Sequence, residues 1–127
     1  MITLYAWPTP NAQKISILLE ELGIKYEAVA VNINKGEQFD PSFLDISPNN
    51  RIPAIVDHAP VDRGGSVSLF ESGAIMLYLA EKESSLLAPM DNFRARSRTL
   101  QWLFWQVGGL GPMAGQAHHF RNCRPHR

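Results

Sequence analysis

Two short runs combine residue types suited to a peptide-like zwitterion: Arg51-Ile52-Pro53-Ala54-Ile55-Val56 and Leu69-Phe70-Glu71-Ser72-Gly73-Ala74-Ile75. Pro53 forces Ile52 away from helical angles and opens an apolar strand, which leaves the Ile52 N–H and C=O for a peptide ligand to pair with. A Pro at that place, beside a cleft, is a candidate for a cis peptide bond. In the second run a strand ends at Phe70 and a helix starts near Ser72. Amide donors and the positive helix end there can hold a carboxylate, with Glu71 beside them for an ammonium. A purely structural reading stays open, in which Ser72 caps its helix and Glu71 is a solvated neighbour.

Pro8-Thr9-Pro10-Asn11 joins the first strand to the first helix and sets two polar side chains at a helix N-terminus. Such a place lowers the pKa of a thiol, about 8.5 when free, and each unit requires about 1.4 kcal/mol of preferential thiolate stabilisation. The sole cysteine, Cys123, lies far along the chain, so the ligand must bring the sulfur. The structural alternative is that Asn11 caps its helix and Thr9 fills a turn. His118 and His119, with Cys123 and His126 nearby, suggest a metal site at first sight. Adjacent helical residues point about 100° apart, and no usual zinc spacing is present, so no metal is expected.

The elements that must position these residues follow from periodicity. Ile2 to Trp7 is a strand that stops at Pro8-Thr9-Pro10, a segment able to continue neither as central strand nor as helix. A helix runs from Asn11, its natural N-cap, through Ile15, Leu18, Leu19 and Leu22 to a stop at Gly23. Tyr26 to Asn32 alternates as a strand, and Asp40-Pro41 opens a short helix that Ser47-Pro48-Asn49-Asn50 ends. Pro53 to Asp57 and Ser66 to Phe70 form a hairpin, and Ser72 to Lys82 is a helix burying Ile75, Met76, Leu79 and Ala80. The expected fold is α/β, a four-stranded mixed sheet in β-α-β, β-β-α order, resembling the thioredoxin-like arrangement. Residues 1–83 are read as this domain, 84–91 as a linker and 92–127 as the start of an all-α region. Its first helix spans about Asn92 to Val107, ended by Gly108-Gly109-Leu110-Gly111-Pro112.

Composition bounds the alternatives. At 127 residues, 45% hydrophobic and 19% charged, the chain holds one ordinary domain and a partial second element. Net charge is zero, yet 1–90 carry six basic and eleven acidic groups, a balance of −5, while 91–127 carry six Arg and one Asp, +5. Arg94, Arg96 and Arg98 alternate with small polar residues at a helix start, which suits a solvated or subunit-contacting face better than nucleic acid. A single cysteine excludes a dithiol oxidoreductase. With no basic leader and no long apolar run, the expectation is a cytoplasmic protein without a membrane segment. Trp102, Leu103, Phe104 and Trp105 surround most of their helix and imply burial from two sides, by a further domain or another subunit.

Taken together, these runs identify the chain as resembling the glutathione transferases, specifically the bacterial nu-class group that includes glutathione-dependent disulfide-bond reductases. The likeness rests on Pro8-Thr9-Pro10-Asn11, Lys35-Gly36-Glu37-Gln38-Phe39, Ile46 to Ile55 and Leu69 to Ile75. Leu100 to Gln106 with Gly108 to Pro112 extends it. It implies that Ile52, before a cis Pro53, pairs with the cysteinyl part of glutathione, and that Glu71 and Ser72 hold the γ-glutamyl amino and carboxylate groups. Gln38 and Arg51 would lie along the rest of the peptide, Arg51 near the glycyl carboxylate, and Thr9 and Asn11 near the sulfur.

The implied function is a glutathione transferase or glutathione-dependent disulfide reductase, with glutathione as co-substrate, a disulfide or electrophile as second substrate, and a homodimeric state. The family continues through a multi-helix domain, and the run Phe120 to Arg127 looks unlike a helix of it. The alternative is therefore a catalytically impaired glutathione-binding or dimerisation fragment lacking most of that helical domain.

Overall fold

The computed structural model describes residues 1–123. Met1–Leu87 and the stretch from Ala88 onward form two compact units. In the first, the strands are β1 (Ile2–Ala6), β2 (Tyr26–Ala30), β3 (Ala54–Asp57) and β4 (Val67–Phe70), and the helices are α1 (Pro10–Glu21), α2 (Pro41–Leu44) and α3 (Ser72–Lys82). One sheet has the order β2-β1-β3-β4. β1 runs parallel to β2 and antiparallel to β3, and β3 pairs antiparallel with β4. This is the mixed, thioredoxin-like sheet expected.

The two helical stripes meet over the sheet. Ile2, Leu4 and Ile55 pack with Ile15 and Leu19 of α1 and Ile75 and Leu79 of α3 in one core. A smaller cluster of Val31, Phe43 and Ala54 seats α2. β2 is an edge strand, so most of its residues stay exposed despite their alternation. It ends at Ala30 rather than Asn32: Val31 still donates its N–H to the Ala6 carbonyl at 2.9 Å, and the Asn32 N–H, on the open edge, donates to the Glu37 carboxylate at 2.6 Å.

α1 starts one residue earlier than expected, and its cap differs. Pro10 is the first helical residue and Thr9 the N-cap, with extended angles and its Oγ1 accepting from the Ala12 N–H at 3.4 Å. A Pro is well suited to this position because its fixed φ is helical and its missing N–H would have had no partner. At the other end, Gly23 holds φ +66° with open space around its missing Cβ, so only conformation restricts it. Gly23→Ala should cost about 1 kcal/mol. Thermal melting should show it as a fall of about 4–8 °C in Tm.

A buried ionic clamp, not foreseen in the sequence, ties α3 to β3. Asp57, wholly buried, accepts from Lys82 Nζ at 2.6 Å, the Tyr78 hydroxyl at 2.7 Å and the Ala59 N–H at 2.9 Å. Lys82 also donates to the Ala59 carbonyl. Burial alone would raise the Asp57 carboxyl; the hydrogen bonds from Lys82, Ala59 and Tyr78 and the Lys82 charge outweigh it and hold the group below its ordinary value. Tyr78 is pushed up to about 12 by burial and by its bond to Asp57. Asp57 ends β3 and Lys82 ends α3, so the clamp sets where their opposite ends, at Pro53 and Ser72, come to lie.

In the second unit, α4 (Phe93–Trp105) is capped by Asn92, whose Oδ1 accepts from the Ala95 N–H at 3.4 Å. The glycines that follow do not end the helix. Gln106–Leu110 form a π-helical turn that leads directly into α5 (Gly111–Asn122). Pro112 has no N–H and its ring crowds a carbonyl one turn back, which a widened turn relieves. The Gly111 N–H reaches back to the Gln106 carbonyl, and a Cβ on Gly111 would lie 3.0 Å from that oxygen. Helix α5 includes Phe120 to Asn122, the first part of the run that looks unlike a helix of the family's multi-helix domain. Cys123 follows in a turn, and 124–127, with His126, lie outside the described residues. No residue of α4 or α5 is buried, and Trp102, Phe104 and Trp105 are 58%, 63% and 52% exposed. Among the described residues no helix is long and apolar enough to cross a membrane.

Candidate functional site

Three segments distant in sequence meet in one small polar cleft. Asn11 comes from the first turn of α1, Arg51, Ile52 and Pro53 from the entry to β3, and Phe70, Glu71 and Ser72 from the junction of β4 and α3. Ser47, at the end of α2, completes the lining. The Ile52–Pro53 peptide bond is cis, as the sequence suggested. Neither the Ile52 N–H nor its C=O is engaged by another backbone group among the described residues. Backbone groups without a partner at the mouth of a strand can pair with an extended peptide.

Glu71, not Ser72, occupies the N-cap position of α3, with φ 72° and ψ 114° and no capping bond from its side chain. For a residue with a Cβ this conformation costs about 1–3 kcal/mol and persists only where the surroundings impose it. Its consequence is local. Ser72 becomes the first helical residue, the first backbone bond of the helix is Ile75 N–H to Glu71 C=O at 3.0 Å, and the N–H groups of Ser72, Gly73 and Ala74 have no backbone acceptor. Free donors at a helix start attract an anion. The cleft thus offers donors for a carboxylate, an exposed Glu71 carboxylate for a cation, and an exposed Arg51 guanidinium for a second anion.

The cap at α1 has a similar consequence for Asn11. Because Thr9 does the capping, the Asn11 side chain is not consumed by it and lies in the cleft, exposed. Its N–H has no backbone acceptor either. Thr9 is half-buried and its oxygen accepts from Ala12, which leaves the hydroxyl hydrogen available to donate. Thr9 does not line the cleft itself, and neither does Gln38. Gln38 sits in a single turn, Glu37–Phe39, with its Oε1 buried and without a partner. An orphaned buried acceptor of this kind costs about 1–3 kcal/mol.

A larger groove of about 490 Å³ lies on the other side of α1, between Ala12, Gln13 and Ser16 and the β2 residues Tyr26, Ala28 and Ala30. Its lining is mostly apolar, and the Tyr26 hydroxyl is occupied with Glu20. Size alone does not make it the site, since it gathers no group able to hold charge or move a proton. Among the described residues no group of three or more His, Cys, Asp or Glu is placed to hold a metal.

Residues 1–81 match the glutathione S-transferase N-terminal domain. The chain belongs to the glutathione S-transferase family. Disulfide-bond oxidoreductase YfcG of Escherichia coli is 60% identical over 98% of this chain and 57% of its own length. A glutathione transferase family member from Pseudomonas fluorescens, solved with two glutathione bound, superposes at a TM-score of 0.88 with 50% identity, over 94% of this chain and 51% of that one. A Pseudomonas putida glutathione transferase, solved with one glutathione disulfide per subunit, gives a TM-score of 0.87 with 49% identity over 94% and 50%. This glutathione S-transferase chain spans about half the length of the relatives it matches.

Two contributors to the transferase-family cleft were not foreseen in the sequence. Phe70 was read only as the end of its strand, and Ser47 only as part of a turn. The signal for Ser47 was its place in Ser47-Pro48-Asn49-Asn50, where a hydroxyl four residues before Arg51 can reach back to the chain it turns.

Proposed function

We propose that this chain binds glutathione in the polar cleft and presents its thiolate for attack on a disulfide or an electrophilic carbon. The observation that carries this reading is the convergence of Asn11, Ile52–Pro53 and Glu71–Ser72 from three separate segments on one cleft. The Ile52 backbone pairs with the cysteinyl residue, Glu71 holds the γ-glutamyl ammonium, and Ser72 with the free amides of α3 holds its carboxylate. Arg51 and Gln38 attend the rest of the peptide, Arg51 at the glycyl carboxylate. Asn11 and the Thr9 hydroxyl donate to the sulfur, favouring thiolate over thiol.

In disulfide reduction the thiolate attacks one sulfur of the substrate disulfide. A new S–S bond to glutathione forms, the old one breaks, and the departing sulfur takes a proton. A second glutathione thiolate then attacks the mixed disulfide, releasing the reduced substrate and glutathione disulfide. Family relatives solved with two glutathiones or with glutathione disulfide bound are in keeping with the two glutathiones consumed and the disulfide released in these exchanges. Fixing the thiol at the cleft also supplies orientation, a contribution worth several kcal/mol of barrier.

The same reading assigns 1–83 as the glutathione-binding domain and 84–91 as a linker, within the nu-class group and in the cytoplasm. A second reading has a specific observation behind it. The exposed aromatic face of α4 favours an assembly role, as a homodimer whose partner covers Trp102 and Trp105. Titration calorimetry with reduced and oxidised glutathione, followed by a disulfide-reduction assay on the same sample, tests both. One-site binding with turnover supports the enzyme, and binding without turnover supports the impaired fragment. Absence of binding at millimolar glutathione overturns the first reading, and a clean monomer by light scattering overturns the second.

A further inference from the structure

Ser47 is wholly buried at the edge of the cleft, and its Oγ donates to the Arg51 carbonyl at 2.7 Å. Its backbone is equally committed. The Ser47 N–H donates to the Phe43 carbonyl at 2.8 Å, and its own carbonyl accepts from the Asn50 N–H at 2.9 Å, with Asn50 at φ 50°. One residue therefore joins the end of α2, the turn that follows, and the segment entering β3.

The Arg51 carbonyl and the Ile52 N–H belong to one planar peptide unit, in which they point in opposite directions. Holding the carbonyl on one side sets the direction of the N–H on the other. That N–H has no backbone acceptor among the described residues. We propose that Ser47 is a positioning residue for ligand binding: its buried hydroxyl, acting through the Arg51–Ile52 peptide plane, aims the Ile52 N–H into the cleft. This rests on the glutathione reading given above for what that N–H meets. Without the hydroxyl, the Arg51 carbonyl loses the bond that fixes its direction and is free to turn, and the N–H turns with it.

The test compares Ser47→Ala, Ser47→Cys and Ser47→Thr with Ile2→Val, a core change at the opposite end of the sheet. Ser47→Cys keeps the branching with a somewhat larger atom and loses the strong donor, whereas Ser47→Thr keeps the hydroxyl. Glutathione affinity by calorimetry should fall about tenfold in the Ala and Cys variants, as expected for the loss of one hydrogen bond. It should stay within a factor of about three in Ser47→Thr and Ile2→Val, although Ile2→Val also lowers Tm. Unchanged affinity in folded Ser47→Ala overturns the proposal. So does loss of folding in both the Ala and Cys variants, which would make Ser47 structural only. Failure of the unsubstituted chain to bind glutathione would remove the ligand reading instead. Ser47 is then judged by the Ile52 amide resonance in nitrogen-15 spectra, which should move in the Ala and Cys variants but not in Ile2→Val; an unmoved resonance overturns the role.

Discussion

Replacing Lys82 with Met is expected to destabilise the Met1–Leu87 unit by about 3–5 kcal/mol, because it strands a carboxylate that has no exposure of its own. In a unit of this size such a loss lowers Tm by well over about 10 °C. The pH dependence identifies the cause. The Asp57 carboxyl is held below its unfolded value, so the unfolded chain binds that proton more readily than the folded one. Stability from the clamp is full above an ordinary carboxylate pKa of about 3.9 and is lost as pH falls through the lower folded value. Without Lys82, burial is opposed only by the hydrogen bonds from Ala59 and Tyr78, so the carboxyl titrates higher than in the unsubstituted chain. The gap between the unsubstituted chain and Lys82→Met should therefore be widest near neutrality and narrow in acid. Denaturant melts across that range measure it, and a gap independent of pH would assign the loss to packing alone.

The second large effect concerns the sulfur. Asn11→Ala should lower glutathione-dependent turnover about 10- to 100-fold, since a hydrogen bond to a charged group is worth about 1.5–3 kcal/mol. The same loss makes the thiolate harder to form, so the rising limb of the pH–rate profile moves up by about one pH unit for each 1.4 kcal/mol removed. Affinity for the peptide part should change far less, because Ile52, Glu71 and Ser72 are untouched. Thr9→Ala mixes two effects: it removes a donor and also an N-cap worth about 1 kcal/mol. Thr9→Ser keeps both functions and is the proper companion. Turnover unchanged in Asn11→Ala, with the profile in place, would remove the role given to this residue.

Much of the site was legible because its signals are local. Pro53 restricts its predecessor and Gly23 tolerates positive φ through sterics within a few atoms of the chain, so type and neighbours suffice. The helical stripes Ile15, Leu19 and Ile75, Leu79 were likewise readable, since a period of 3.6 leaves one face to bury. The caps were less so. Asn11 and Thr9 are both good cap residues two positions apart, and only the folded backbone chose Thr9, freeing Asn11 for the cleft.

By itself the sequence determined the order of elements and the sheet they could form, which follow from spacing along the chain, while its resemblance to a known family supplied the candidate residues for a glutathione-like peptide. Tertiary structure decided which of those residues share a cleft: Asn11, Arg51, Ile52, Glu71 and Ser72 meet there, while Thr9 and Gln38 stand outside it. It also decided the left-handed backbone of Glu71, the burial of Asp57 against Lys82 and the reach of Ser47 to Arg51. The physical reason is that proximity across dozens of residues and the desolvation of a polar group are properties of packing. Neither can be read from a side chain's type until the chain around it has closed.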